Sequence, residues 1–238
     1  MTKFSIIIPV RNRLGELCRA LKSVDSQTFQ DFECVVVDDE SRLPIGPVVF
    51  QNYGPWFTGI RLDDRSERVV AWTKGIEATS GEWLCRLDSD DEFASHYLEA
   101  VNGAILQHPE ARCFNFGAVI HHRKRSDNGP VYTRTSIRPT FRPKWLGDKH
   151  VEFKSGKIGT GHFVFHRSVL DEIEWLPQVR SPYKFHEMAT DVHHLYPFPG
   201  TTLGNPWGDD YLAFYRITRK FQSIPIEPAL YIQHTRTG

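Results

Sequence analysis

The chain reads as an α/β protein built on an open sheet flanked by helices. Three observations predict this. Phe4 to Val10 is a continuous apolar, β-branched run, the signature of a strand covered on both faces. A helix-spaced stripe follows it, and a second buried run at Phe32 to Val37 closes a strand, helix, strand unit within about 35 residues. Such a unit needs a right-handed crossover, which sets up an open sheet with its first strand near the centre.

The elements follow in order. Leu14, Leu17, Leu21 and Val24 fall at spacings of three, four and three, one stripe of an amphipathic helix that Asn12 is placed to cap. Residues 41–60 carry six Pro and Gly residues and read as loop, with one short strand at Pro47 to Gln51. Val69, Trp72 and Ile76 resume helical spacing until Gly81. Trp83 to Leu87 is a third strand, and Ser95 is placed to cap a helix through Leu98, Val101 and Ile105 that stops before Pro109. Cys113 to Ile120 reads as a further strand. Residues 121–159 show weak periodicity, Thr160 to Leu170 a strand leading into a short helix, Asp210 to Phe221 a helix, and Ala229 to Gln233 a last strand.

At 238 residues one domain, 1–238, is expected, because single cores extend to about 250 residues. With 29 Lys and Arg against 29 Asp and Glu, no global field exists to hold nucleic acid or an anionic membrane by bulk charge. An anion must be held by a local site. Cys18, Cys34, Cys85 and Cys113 form no CxxC pair, which fits a reducing compartment. The first apolar stretch is too short for a signal sequence or a membrane span, so a soluble cytoplasmic location is expected, with peripheral membrane contact left open.

In open α/β sheets ligands bind beyond the carboxyl ends of the strands. Three strands here end in polar clusters: Arg11, Asn12 and Arg13; Asp38, Asp39 and Ser41; and Asp88, Ser89, Asp90 and Asp91. If they converge, arginines facing carboxylates suit a ligand carrying both phosphates and hydrogen-bond donors, with a divalent cation to reconcile the like charges. In Asp-x-Asp at a strand end both carboxylates can approach one Mg2+ or Mn2+. The alternative is a solvated acidic turn that caps the next helix. Neither G-x-G-x-x-G nor GxxxxGK[ST] follows the first strand, so a phosphate would be held by a metal and side chains.

S-I-I-I-P-V-R-N-R, S-Q-T-F-Q-D-F-E, V-V-V-D-D-E-S and A-T-S-G-E-W-L-C-R-L-D-S-D-D together resemble the nucleotide-binding half of a family 2 glycosyltransferase. T-G-H-F-V-F-H-R-S-V-L and W-G-D-D-Y-L-A-F-Y-R resemble later parts of the same family. The resemblance implies a GT-A fold, a Rossmann-like open mixed sheet flanked by helices, with a nucleotide-binding half at 1–120 and an acceptor-binding half at 121–238. It implies an inverting, metal-dependent hexosyltransferase that moves a sugar from a nucleotide diphosphate, UDP-linked by expectation, to a hydroxyl of a glycan, lipid-linked or small-molecule acceptor.

Carried over residue by residue, the resemblance assigns Asp39 to the nucleobase and Pro9, Arg11 and Arg13 to the base and ribose, although the family often has an aromatic where Arg11 stands. Arg68 matches a basic position near the diphosphate. Asp88, Ser89 and Asp90 join the nucleotide-sugar site, and Asp90, Asp91 and His234 are the implied ligands of Mn2+ or Mg2+. Asp210 matches the catalytic base, with Asp209 where Glu is more usual. Taken alone, Gly208-Asp209-Asp210 also reads as a helix N-cap with an acidic first turn.

His162 and Trp207 are candidate acceptor contacts, Trp145 a weaker one, because aromatic faces can stack on sugar rings. His121-His122 and His193-His194 lack zinc-site spacing. The basic run His121 to Arg125 reads as a solvated loop, with an anionic acceptor or lipid headgroups as the alternative. Two other functions remain open: a non-catalytic nucleotide- or sugar-binding module on the same fold, and a sugar nucleotidyltransferase. The latter typically has a Gly-rich basic loop after the first strand, absent here.

Overall fold

The structure, a computed structural model, describes residues 2–66, 68–126, 129–140, 144–145, 151–152, 161–173, 217–218 and 220–236. The elements in chain order are β1 (Phe4–Val10), α1 (Leu14–Asp25), β2 (Phe32–Asp38), β3 (Phe57–Arg61), α2 (Arg68–Glu77), β4 (Trp83–Arg86), β5 (Glu92–Phe93), α3 (Tyr97–Gln107), β6 (Cys113–Ser126), β7 (Gly129–Arg138), β8 (Lys144–Trp145), β9 (Val151–Glu152), β10 (Phe163–His166) and β11 (Ser223–Arg236). Strands β8 and β9 form their own small pair. The other nine share one mixed sheet, in the order β3-β2-β1-β4-β10-β6-β11-β5, with β7 hydrogen-bonded to β6.

β1 pairs in parallel with both β2 and β4, as its unbroken apolar run requires. Its alternate residues feed two buried layers. Ile6 and Ile8 join Leu17, Leu21 and Val24 of α1 and Leu98 and Val101 of α3. Ile7 joins Val35 and Val37 of β2 and Ala71, Trp72 and Ile76 of α2. Each such buried side chain contributes roughly 1.5–3 kcal/mol. Gly75 lets α2 lie close on the sheet: a Cβ there would stand 2.3 Å from Ile7 Cγ2.

The expected caps differ from those observed. Arg13, not Asn12, occupies the N-cap of α1. Asn12 takes φ 55°, a left-handed conformation Asn tolerates. Its side-chain oxygen accepts from Arg42 N at 2.8 Å, and its own N–H donates to Ser41 Oγ at 2.9 Å. The side chain that would have capped the helix instead ties the loop after β1 to the loop after β2. His96, rather than Ser95, precedes α3.

Pro47–Phe50 is a single 3-10 turn, not a strand. The strand of this interval is β3, which pairs in parallel with β2 but buries only Phe57 fully. Strand β6 continues six residues past the expected Ile120 and turns back into β7. Residue 120 thus lies within β6, and the two expected halves share a strand. β11 begins earlier and ends later than Ala229 to Gln233.

Candidate active site

The carboxyl ends of β1, β2 and β4 open on one cleft of about 440 Å³. Its walls include Pro9 of β1, Arg11 and Arg13 after it, Asp39 after β2, and Asp88, Ser89, Asp90 and Asp91 after β4. His234 of β11 completes it. Nine residues singled out from the sequence therefore meet in one place, at the position where open α/β sheets bind ligands.

Asp38 and Asp39, adjacent in sequence, do different work. Asp38 is buried and accepts from Ser41 N at 2.9 Å, Ile45 N at 3.1 Å and Arg61 Nη1 at 2.6 Å. Burial pushes its pKa up, but the hydrogen bonds from Ser41, Ile45 and Arg61 outweigh that and hold it below its ordinary value. Asp38→Ala is expected to cost about 3 kcal/mol in urea denaturation, since two amides lose their acceptor. Because the folded pKa is depressed, this contribution is complete above the unfolded carboxylate value near 4 and is lost as pH falls through the folded value. Asp38→Asn should accordingly flatten the acid limb of the stability curve, and an unchanged limb would remove Asp38 from that role.

Asp39 faces the cleft. Its Oδ1 accepts from Ser66 N at 2.6 Å and Ser66 Oγ at 2.8 Å, and its backbone N–H donates to Val10 O at 2.9 Å. Those bonds fix the carboxylate while leaving Oδ2 with no hydrogen bond among the described residues. A ligand N–H can use it.

At the end of β4, Asp91 N donates to Asp88 O at 3.0 Å, a turn that gathers three carboxylates. Asp90 Oδ2 lies 2.6 Å from Arg13 Nη1. Asp88 Oδ1 lies 3.3 Å from Arg86 Nη2, and the Arg86 guanidinium stands 5.0 Å above the Trp72 ring. Asp91 is buried, and its Oδ1 accepts from His234 N at 2.8 Å. Burial, then the neighbouring Asp88 and Asp90 charges, push its pKa up to about 8 against the bonds from His234 and Tyr231. His234 Nε2 meets Glu92 Oε1 at 2.6 Å, and Arg19 Nε reaches the same oxygen at 3.2 Å.

No group of three or more His, Cys, Asp or Glu among the described residues is arranged to hold a metal ion by itself. The donor set still fits a hard cation that takes only one or two protein carboxylates and completes its shell with water and phosphate oxygens. Too much negative charge for its burial, as the raised pKa of Asp91 reflects, is what such a cation relieves.

His162 lies elsewhere. It is 2% exposed, packs 5.1 Å from the Tyr231 ring and does not line the cleft. Burial first, then Arg138, hold its pKa down to about 3, so the ring is neutral. A ring so enclosed cannot touch an acceptor unless the wall above it moves. The backbone of Arg68 starts α2. Asp209, Asp210 and Trp207 lie outside the described residues.

Arg86, Gln233 and Ser66 were missed from the sequence. A charged residue inside W-L-C-R-L was the available signal for Arg86, because an Arg in a buried strand stays only if something there needs its charge. Gln233 and Ser66 carried none.

The sequence profile described as glycosyl transferase family 2 matches residues 5–174. An uncharacterised glycosyltransferase of Haemophilus influenzae is 33% identical over 137 residues, 57% of this chain and 44% of that protein. The GalNAc(5)-diNAcBac-PP-undecaprenol beta-1,3-glucosyltransferase of Campylobacter jejuni is 35% identical over 105 residues, 42% of this chain and 34% of that protein. The chain thus spans less than half the length of these curated relatives. Among solved structures, residues 1–349 of S. aureus TarS in complex with UDP-GlcNAc superpose with a TM-score of 0.57 at 18% identity, over 99% of this chain and 59% of TarS 1–349. That likeness establishes the fold: a GT-A sheet, open and mixed, flanked by helices.

Proposed function

The chain belongs to glycosyl transferase family 2, and on that premise we propose that it transfers a sugar from a nucleoside diphosphate, UDP by preference, to an acceptor hydroxyl with inversion. The observation that carries the reading is the meeting of Asp39, Arg11, Arg13 and the Asp88 to Asp91 turn in one cleft at the carboxyl edge of the sheet. The H. influenzae and C. jejuni relatives are named glycosyltransferases, and the TarS complex holds a UDP sugar.

The residues divide the work. Asp39 offers Oδ2 to the imide N–H of a uracil, with Ser66 keeping the carboxylate from turning away. Arg11 and Arg13 bring cations beside the ribose and diphosphate. Asp88 and Asp90, with Asp91 behind them, would hold Mn2+ or Mg2+. When bound, the cation supplies charge stabilisation for the departing diphosphate. Asp210 takes the proton from the acceptor hydroxyl as that oxygen attacks the anomeric carbon from the face opposite the leaving group. One displacement inverts that carbon.

Calorimetric titration of UDP, GDP and dTDP, each with and without Mn2+, tests the binding half of this reading. UDP is expected to bind tightest, and Mn2+ to strengthen it by tenfold or more. Affinity indifferent to the metal would refute the role of Asp90. Equal affinity for GDP would refute that of Asp39.

A further inference from the structure

The wall of the cleft continues past His234. Across β11 and β6 His234 pairs with His121, and across β6 and β7 Arg123 pairs with Tyr132, so His121, Arg123, Tyr132 and His234 lie on one face of the sheet. The Tyr132 ring stands 6.1 Å from that of His234 and 5.9 Å from that of His121, and the Arg123 guanidinium lies 6.0 Å from its centre. His234 is buried, whereas Tyr132 is 56% exposed beside it. The hairpin holds this rim in place. Thr135 Oγ1 and His121 Nδ1 are 3.0 Å apart, which fixes the imidazole against Tyr132. Thr133 Oγ1 donates to His122 O at 3.2 Å, at the one-residue irregularity that sets Tyr132 opposite Arg123.

An exposed aromatic ring fixed in this way is pre-organised to receive a flat apolar surface at little entropic cost. The C–H face of a sugar ring is such a surface, and its hydroxyls stay in water while it stacks. The charge around the ring narrows the choice. Residues 121–138 hold five Lys and Arg and one acidic residue, Asp127. Glu92, the carboxylate that meets the His234 imidazole, is also held by Arg19. A substituent beside a ring stacked on Tyr132 therefore meets a half-buried guanidinium, whose planar donor fork matches a phosphate or a carboxylate.

The order of the strands says which ligand belongs here. Asp39 follows β2, the arginines follow β1 and the acidic turn follows β4, while β6 and β11 lie on the far side of β10. His234 N, donating to Asp91 Oδ1, joins that far side to the turn. A nucleotide laid from Asp39 to the turn brings its diphosphate to the turn, and the attacking oxygen comes from the side opposite the leaving group. The end of the cleft left for it is the one that Tyr132 borders. We propose that Tyr132 and Arg123 form an acceptor subsite for a saccharide that carries an anionic group, phosphate or carboxylate, next to the stacked sugar ring. The inference rests on the donor reading above for the word acceptor, but the binding it expects requires no donor.

Binding of the full chain to an array of immobilised oligosaccharides, some neutral, some containing uronic acids and some phosphorylated, tests it. The anionic saccharides are expected to be retained about tenfold more tightly than the neutral ones, and retention of one anionic group over the other identifies the source of the charge. Tyr132→Ala should weaken binding to all of them about tenfold, while Tyr132→Trp keeps or strengthens it. Arg123→Gln should erase the preference for the anionic saccharides and leave the neutral ones as they were. If either truncated variant melts early, Tyr132→Trp, which keeps the stacking face, carries the test. No retention, equal retention of neutral saccharides, or indifference to the Tyr132 and Arg123 substitutions overturns the proposal. So does a Tyr132→Ala protein that melts earlier yet binds as before, which would confine Tyr132 to stabilising the hairpin. UDP titration keeps the two readings apart: Tyr132→Ala should bind UDP within about twofold of the wild type, since the ring lies away from the nucleotide end. A wild type that retains anionic saccharides but binds no UDP would strike the donor reading and leave this surface a saccharide site.

Discussion

Replacing Asp210 by Asn is expected to slow release of nucleoside diphosphate from the sugar donor by about 10²- to 10⁴-fold, the range general-base removal spans. UDP affinity should stay within about twofold. The acceptor hydroxyl has a pKa far above 7 and must lose its proton as it attacks. The amide keeps the shape of the carboxylate and its hydrogen-bonding reach, but not its capacity to take a proton. The loss therefore falls on kcat and kcat/KM alike, the mark of an interaction made only in the transition state. Asp209→Asn should cost less, because its charge is adjacent to the reaction rather than on the proton's path. A helix-capping role for Gly208-Asp209-Asp210 makes the opposite prediction: a stability loss of about 1 kcal/mol and near-normal turnover. Melting temperature and turnover measured on the same variant separate the two.

What the sequence made legible follows the physics of burial. β1, β2, β4 and the three long helices were readable because each buries a continuous run or a stripe, and burial leaves a period in the hydropathy. β3 was not, because an edge strand that buries only Phe57 has no alternation to read. The β6–β7 arm failed for the same reason: Lys124, Val131, Tyr132, Thr133, Arg134 and Thr135 are all exposed, so Arg, Lys, Thr and Val occur without pattern and the segment resembles a loop. Asn12 was legible as a polar residue after a strand, but its bonds run to Ser41 and Arg42, about thirty positions away, and no local cap rule carries that information.

The site shows the same division. Asp39, Asp88, Asp90 and Asp91 stood out because carboxylates at strand ends are exposed to the rule that ligands bind there. That Asp38 is an anchor and Asp39 a wall of the cleft depends on which side of the chain each faces, set by the alternation of β2 and by Arg61, the register partner of Asp38 on the neighbouring strand β3. His162 was a candidate because an aromatic face can stack on a sugar ring, yet it enters the buried layer beside Tyr231. A polar residue in a strand start carries no mark of which face it will take until the strand's partners are known.

Asp91 gives the second large expectation. In the folded chain burial and the charges of Asp88 and Asp90 raise its pKa from about 3.8 to about 8. The folded state therefore binds a proton more tightly than the unfolded state, so the associated stability is complete below about pH 4 and is lost as pH rises toward 8. At about 1.4 kcal/mol per tenfold change in proton affinity, the loss has a ceiling of about 6 kcal/mol. Asp91→Asn keeps an oxygen to accept from His234 N but cannot ionise. It is expected to stabilise the protein by a few kcal/mol at pH 8 and hardly at all at pH 4.5. Mn2+ should narrow that gap by stabilising the wild type at pH 8, because a cation among the three carboxylates offsets the charge that burial penalises. On the proposed metal-dependent reading the same substitution should also lower turnover, because it removes a carboxylate charge from beside the cation's place. Urea denaturation at the two pH values, with and without Mn2+, measures all of this at once. Parallel stability curves for wild type and variant would mean that Asp91 is ionised and paired in the folded protein, and the cleft would then have no unmet demand for positive charge.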